Sequence, residues 1–79
     1  MPQIKVDDII TNVRFDEHSL FFDLSDGRTL SAPLEHYPRL LKATPEQRRN
    51  WERIGRGYGV HWPEVDEDVS VRGMERVEN

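Results

Sequence analysis

Apolar and polar residues alternate along the first half of the chain and change rhythm in the second. Val13 and Phe15 alternate with Asn12, Arg14 and Asp16, and Leu20, Phe22 and Leu24 alternate with Phe21, Asp23 and Ser25. A period of two marks strands with one buried face. Asp16 to Ser19 is the turn between them. A two-residue loop at Asp26-Gly27 would set Leu30 against Asp23 and Ser31 against Phe22. A three-residue loop instead pairs Phe22 with Leu30 and Leu20 with Ala32, and opposed residues share a sheet face, so this register keeps the apolar face continuous. It requires positive φ at the loop's third position, which Gly27 supplies. Leu20 to Leu24 and Arg28 to Ala32 therefore form a hairpin. Pro33 ends its second strand by withholding a donor.

From Leu34 onward helix signals take over. Pro38 opens a short helical turn through Leu41. Thr44-Pro45-Glu46-Gln47 combines an N-cap, proline at the first position and a capping-box glutamine. The main helix is expected from Pro45 to Trp51 or Ile54, stopped by Gly55, Gly57 and Gly59. Tyr58, Val60 and Trp62 then suggest a final strand that Pro63 closes. Ser70 or Asp68 caps a brief terminal helix around Val71 to Met74. The expected fold is α+β: one small antiparallel sheet, made of N-terminal strands, the hairpin and a late strand, packed with one main helix in a single domain over residues 1–79.

Size and composition narrow the function. A chain of 79 residues with 35% hydrophobic content supports a modest core, because a unit this small buries only about 60% of its unfolded surface. Trp51 and Trp62 are expected as core anchors. The absence of cysteine removes disulfides, thiolate catalysis and Cys-ligated zinc. No apolar run approaches the roughly 20 residues of a membrane span, and the N-terminus lacks the pattern of a signal peptide. A cytoplasmic protein is expected.

The net charge of −4 conceals a division. Residues 1–38 carry three Lys/Arg against seven Asp/Glu, residues 39–56 six against two, and residues 57–79 two against six. A basic island thus lies between acidic flanks, a pattern that can steer a partner. Within it Arg48, Arg49, Arg53 and Arg56 are the candidate partner-binding residues. On a continuous helix Arg49, Arg53 and Arg56, spaced four and three apart, would share a face. The neighbouring Glu46 and Glu52, and the acidic total, argue for a protein partner over direct nucleic-acid binding.

Chemistry is harder to find. Gly55-x-Gly-x-Gly departs from the dinucleotide fingerprint in spacing and in its order of helix and strand, and reads as a turn. His61 with Asp66 or Asp68 is the one arrangement from which catalysis or metal binding could be built, but it lacks calcium-loop spacing and a His-x-x-x-His pair. His18 and His36 are isolated. The acidic triplet Asp66-Glu67-Asp68 is expected to cap a helix or face solvent. No catalytic residue, metal or cofactor is expected.

Several motifs in order carry a resemblance: Asp26-Gly27-Arg28, Pro33-Leu34, Tyr37-Pro38-Arg39-Leu40, Ala43-Thr44-Pro45-Glu46-Gln47-Arg48, Asn50-Trp51, Gly57-Tyr58-Gly59-Val60-His61-Trp62-Pro63 and Asp66-Glu67-Asp68-Val69-Ser70-Val71. Together they resemble the bacterial family catalogued as domain of unknown function 2442. That resemblance implies a small α+β unit and a companion role beside other small proteins, in operons similar to toxin and antitoxin pairs. Some members are joined to a helix-turn-helix domain, which these residues do not contain. The sequence departs from the family at Gly73-Met74-Glu75, where leucines tend to follow. The resulting expectation is a non-enzymatic, antitoxin-like or regulatory protein-interaction module, able to form a homodimer through an exposed sheet edge. The alternative is an anti-CRISPR-like inhibitor of a nucleic-acid-binding complex.

Overall fold

The computed structural model describes residues 9–76. Two three-stranded antiparallel sheets replace the single sheet expected from the sequence. The first has the order β1 (Ile10–Phe15), β2 (Ser19–Leu24), β3 (Thr29–Pro33). The second is built from β4 (Glu52–Ile54), β5 (Gly59–Trp62) and β6 (Glu67–Ser70), also in chain order. Between them lie a 3-10 turn at Leu34–His36 and two short helices, α1 (Pro38–Leu41) and α2 (Pro45–Arg49). Helix α3 (Val71–Arg76) follows β6 directly. The α+β class holds, but no described helix is long enough to be the main one.

The hairpin forms in the expected register, with Phe22 opposite Leu30 and Leu20 opposite Ala32. Gly27 sits at φ +96 in its loop. The preceding turn is organised by Asp16, whose carboxylate accepts from the backbone N–H groups of His18 and Ser19 at 2.9 and 2.7 Å. Those two bonds favour the ionised form and hold the Asp16 pKa below its ordinary value.

Strand β1 contains a device that alternation alone does not reveal. Ile10 pairs with Leu24 while Asn12 pairs with Asp23, so β1 advances two residues as β2 advances one. The extra residue is Thr11, a β-bulge. In a regular strand Ile10 and Val13, an odd number of positions apart, would face opposite ways. The bulge reverses the parity, and both enter the core. On the outer face of this sheet Arg14 binds Asp23 through two bonds of 2.9 and 2.7 Å and lies 5.2 Å from the Phe21 ring centroid.

The predicted helix over residues 45–54 ends early. Thr44 and Gln47 form the capping box, and Asn50 then leaves helical geometry at φ −94, ψ 80. Glu52 to Ile54 instead pair with Gly59 to His61. Strand pairing of these residues with the buried β5 wins over continuation of a helix whose described residues are none of them buried. Of the triplet Asp66-Glu67-Asp68, expected to cap a helix or face solvent, Asp66 and Asp68 are exposed, but Glu67 and Asp68 open strand β6, which contributes Val69 to the core. Ser70 is the cap of α3, its hydroxyl accepting from Gly73 N–H at 2.8 Å. Met74 is buried, so it fills the terminal packing position that the Gly-Met-Glu departure left open.

The core draws on both sheets: Ile10, Leu20, Phe22, Val60 and Trp62 are fully buried, with Leu34 and Leu40 from the connecting segment. Trp62 is a core anchor as expected, whereas Trp51 is half-buried and packs against the cluster from outside. The sheets are joined at the backbone level too. Ile10 N–H donates to Gly57 O at 2.8 Å, and Arg53 Nη1 donates to Ile10 O at 3.2 Å.

Gly57 makes this junction possible. Its φ is +106, and a Cβ there would lie 2.8 Å from Ile9 Cγ2. Replacing it with alanine imposes both an unfavourable backbone region and a clash at the seam. Gly57→Ala should therefore destabilise the fold by more than about 1 kcal/mol, measurable as a lowered midpoint in urea unfolding.

Candidate functional site

The four arginines singled out in the sequence have two different fates. Arg48, at the end of α2, is turned into the body of the protein. Its Nε donates to Leu40 O at 3.0 Å and its Nη2 to Leu41 O at 3.1 Å. These carbonyls belong to the last turn of α1, where Leu40 O also accepts from Ala43 N–H at 3.1 Å. The guanidinium also stands 5.1 Å from the Phe15 ring centroid. Arg53, on β4, is spent on Ile10 O as described. Arg49 and Arg56 are exposed, and among the described residues neither side chain has an ion pair or hydrogen bond.

The shared helical face of Arg49, Arg53 and Arg56 does not form. Arg49 ends α2, Arg53 lies on a strand and Arg56 lies in the β4–β5 turn. The spacing of four and three has meaning only on a continuous helix, and the chain leaves the helix at Asn50.

The turn that carries Arg56 is the most partner-like surface of the described chain. Gly57 N–H donates to Ile54 O at 3.0 Å, closing the turn. Ile54, 42% exposed, and Tyr58, 36% exposed, bracket it. The Tyr58 backbone is fixed, because its carbonyl accepts from Val71 N–H at 2.9 Å. A tyrosine and an arginine, residue types enriched in protein interfaces, therefore stand with an exposed isoleucine on a pinned turn.

A second feature occupies the outer face of the same sheet. Glu52, His61 and Asp68 stand opposite one another across β4, β5 and β6. His61 Nδ1 lies 2.5 Å from Asp68 Oδ1. The sequence-based pairing of His61 with an acidic residue is thus realised with Asp68, on an open sheet face. The bond to Asp68 raises the His61 pKa, and the charges of Asp68, Glu52 and Asp66 add to it. Asp66 instead uses its backbone: it lies at φ +55, and its carbonyl accepts from Arg39 Nη1 at 2.6 Å. Among the described residues no group of three His, Asp or Glu side chains could hold a metal ion.

A shallow groove of about 430 Å³ runs between β1 and α2, lined by Phe15, Glu17, Pro45 and Arg49 among others. Two of its other lining residues, Arg14 and Arg48, are already engaged. No helix among the described residues is long and apolar enough to cross a membrane. His18 and His36 are exposed.

Comparison with known proteins gives consistent results. The model of a family described as "Protein of unknown function (DUF2442)" matches residues 10–78. A crystal structure of a protein of unknown function from Rhodospirillum rubrum is 30% identical with a TM-score of 0.70, the match covering 86% of this chain and 84% of that one. A solution structure of an uncharacterized protein from Chromobacterium violaceum is also 30% identical, with a TM-score of 0.71, covering 86% of this chain and 64% of that one. No curated protein matches.

Two outcomes follow from this geometry. Arg48→Ala removes charged hydrogen bonds to two carbonyls and should cost about 1.5–3 kcal/mol, whereas Arg49→Ala should stay within about 0.5 kcal/mol; thermal unfolding of the two variants separates them. Because the folded-state pKa of His61 is raised, its contribution to stability is complete below the unfolded value near 6.5 and is lost as pH rises through the folded value. An NMR titration should give a His61 midpoint above that of an ordinary histidine, and Asp68→Asn should bring it down.

Proposed function

We propose that this chain, which belongs to the DUF2442 family of proteins of unknown function, is a non-enzymatic protein-interaction module acting in the cytoplasm as the regulatory or antitoxin-like companion of another protein. The observation that carries this reading is the β4–β5 turn, with Ile54, Arg56 and Tyr58 exposed on a backbone fixed at both ends. A preformed surface loses little conformational freedom on docking, which favours affinity from a small patch. The His61–Asp68 pair is read as a cross-strand tie. Its imidazole is committed to the neighbouring strand through Asp68.

A second reading, an anti-CRISPR-like inhibitor of a nucleic-acid-binding complex, draws on the exposed carboxylates of Glu64, Asp66 and Asp68 around the β5–β6 connection. Carboxylates so displayed can occupy a groove built for phosphates. The two readings use different surfaces, so they are separable by substitution.

The test is co-purification of the tagged chain with the product of the adjacent gene. A stoichiometric complex should form and should be lost in an Arg56→Glu, Tyr58→Ala variant whose melting temperature is unchanged. Loss on neutralising Glu64, Asp66 and Asp68 instead would transfer the assignment to the second reading. A chain that stays monomeric and unaccompanied would remove the interaction reading.

A further inference from the structure

The basic island has an unusual electrostatic state. It contains Arg39, Lys42, Arg48, Arg49, Arg53 and Arg56. Among the described residues the ion pairs join Arg14 to Asp23, Arg28 to Asp26, His18 to Glu17 and His61 to Asp68, and none involves the island. Arg39, Arg48 and Arg53 use their guanidinium groups on backbone carbonyls of Asp66, Leu40, Leu41 and Ile10. A carbonyl holds a guanidinium in place without neutralising it. Glu46 and Glu52 lie in the same stretch without pairing to these cations, so the island keeps a net positive charge, six against two, while the guanidinium groups of Arg39, Arg48 and Arg53 are fixed in place.

Strand β4 lies inside this island and, among the described residues, at the edge of its sheet, paired on one side with β5. All three of its residues are exposed. An edge strand offers a row of backbone donors and acceptors to an incoming extended segment. Arg49 precedes it and Arg56 follows it, and both have side chains with no partner among the described residues. Ile54, on the strand, faces the side of the sheet where Gly59 opposes it without a side chain.

From these features we infer that β4 is an acceptor edge for an extended acidic segment of a partner protein, which adds to the second sheet as its fourth strand, with carboxylates at Arg49 and Arg56 and an apolar side chain beside Ile54. This inference rests on the interaction reading above and names its partner's chemistry. Backbone pairing supplies the docking geometry, and the uncompensated charge selects the sign. A nucleic acid could use the charge but not the strand edge, because it has no peptide backbone to pair with β4. The segment is therefore a peptide.

The experiment uses the full chain, isotopically labelled, and a panel of eight-residue peptides that alternate Glu with Val, Ile, Thr or Phe. Matched peptides carrying Lys for Glu and a single-stranded oligonucleotide serve as contrasts. At least one acidic peptide should shift the amides of Glu52, Arg53 and Ile54 and slow their hydrogen exchange. Its Kd should weaken at least tenfold in Arg49→Gln, Arg56→Gln and further in the double Glu variant, with unfolding midpoints unchanged. The inference is overturned if no acidic peptide binds, if binding leaves β4 exchange untouched, if the Lys peptides bind as well, or if only the oligonucleotide binds. A neighbouring-gene partner that binds while shifting residues away from β4 also overturns it, yet leaves the interaction reading standing.

Discussion

The structure depends on the buried indole that holds the two sheets together away from their backbone seam. Trp62 is fully buried, its indole Nε1 donates to Arg48 O at 3.0 Å, and its ring meets Phe15 edge-on at 6.2 Å between centroids. Arg48 closes the circuit by laying its guanidinium against Phe15 and binding the end of α1. Three residues from β1, α2 and β5 thus tie together both sheets and both short helices. The indole needs a partner for its N–H once buried, and Arg48 offers a carbonyl only because α2 is held in place by Thr44 and Pro45. The short helix has this positioning role although it buries none of its own residues.

Where local chemistry decides the outcome, the sequence could be read. Gly27, the alternation of Leu20, Phe22 and Leu24, and the Thr44–Gln47 box each encode their structure within a few residues, and the hairpin register and helix start followed. The errors share a different cause. Glu52 to Ile54 is too short and too exposed to show alternation, and it becomes a strand only because β5 is there to receive it. Asp66 to Asp68 contains residues disfavoured in strands, and Val69 alone of β6 is buried. Thr11 gives no sign that it is an extra residue until its partner strand is known.

The candidate site was legible in the same uneven way. Charge counting located the island, and Arg56 does stand on an exposed turn. It could not tell that Arg48 and Arg53 reach backbone carbonyls, at Leu40 and Leu41 for the first and 43 residues away in sequence for the second. A guanidinium offers five donors in a planar fork, so arginine can serve as a structural clamp where lysine would remain a solvated charge. Ile54 and Tyr58 were placed as continuations of regular elements, and their exposure emerged only when the turn between β4 and β5 took shape.

The bulge at Thr11 has a consequence for fidelity of assembly. Because β1 changes parity partway along, it carries a mismatch that β2 alone is cut to accommodate. A slip of the pairing, or a regular strand from another molecule laid in its place, would bury either the Ile10 side or the Val13 side, but never both. The irregularity thus acts as a key with one offset tooth. It lets β1 recognise its own position in the sheet and guards the first sheet against a slipped register and against a regular strand of different sequence.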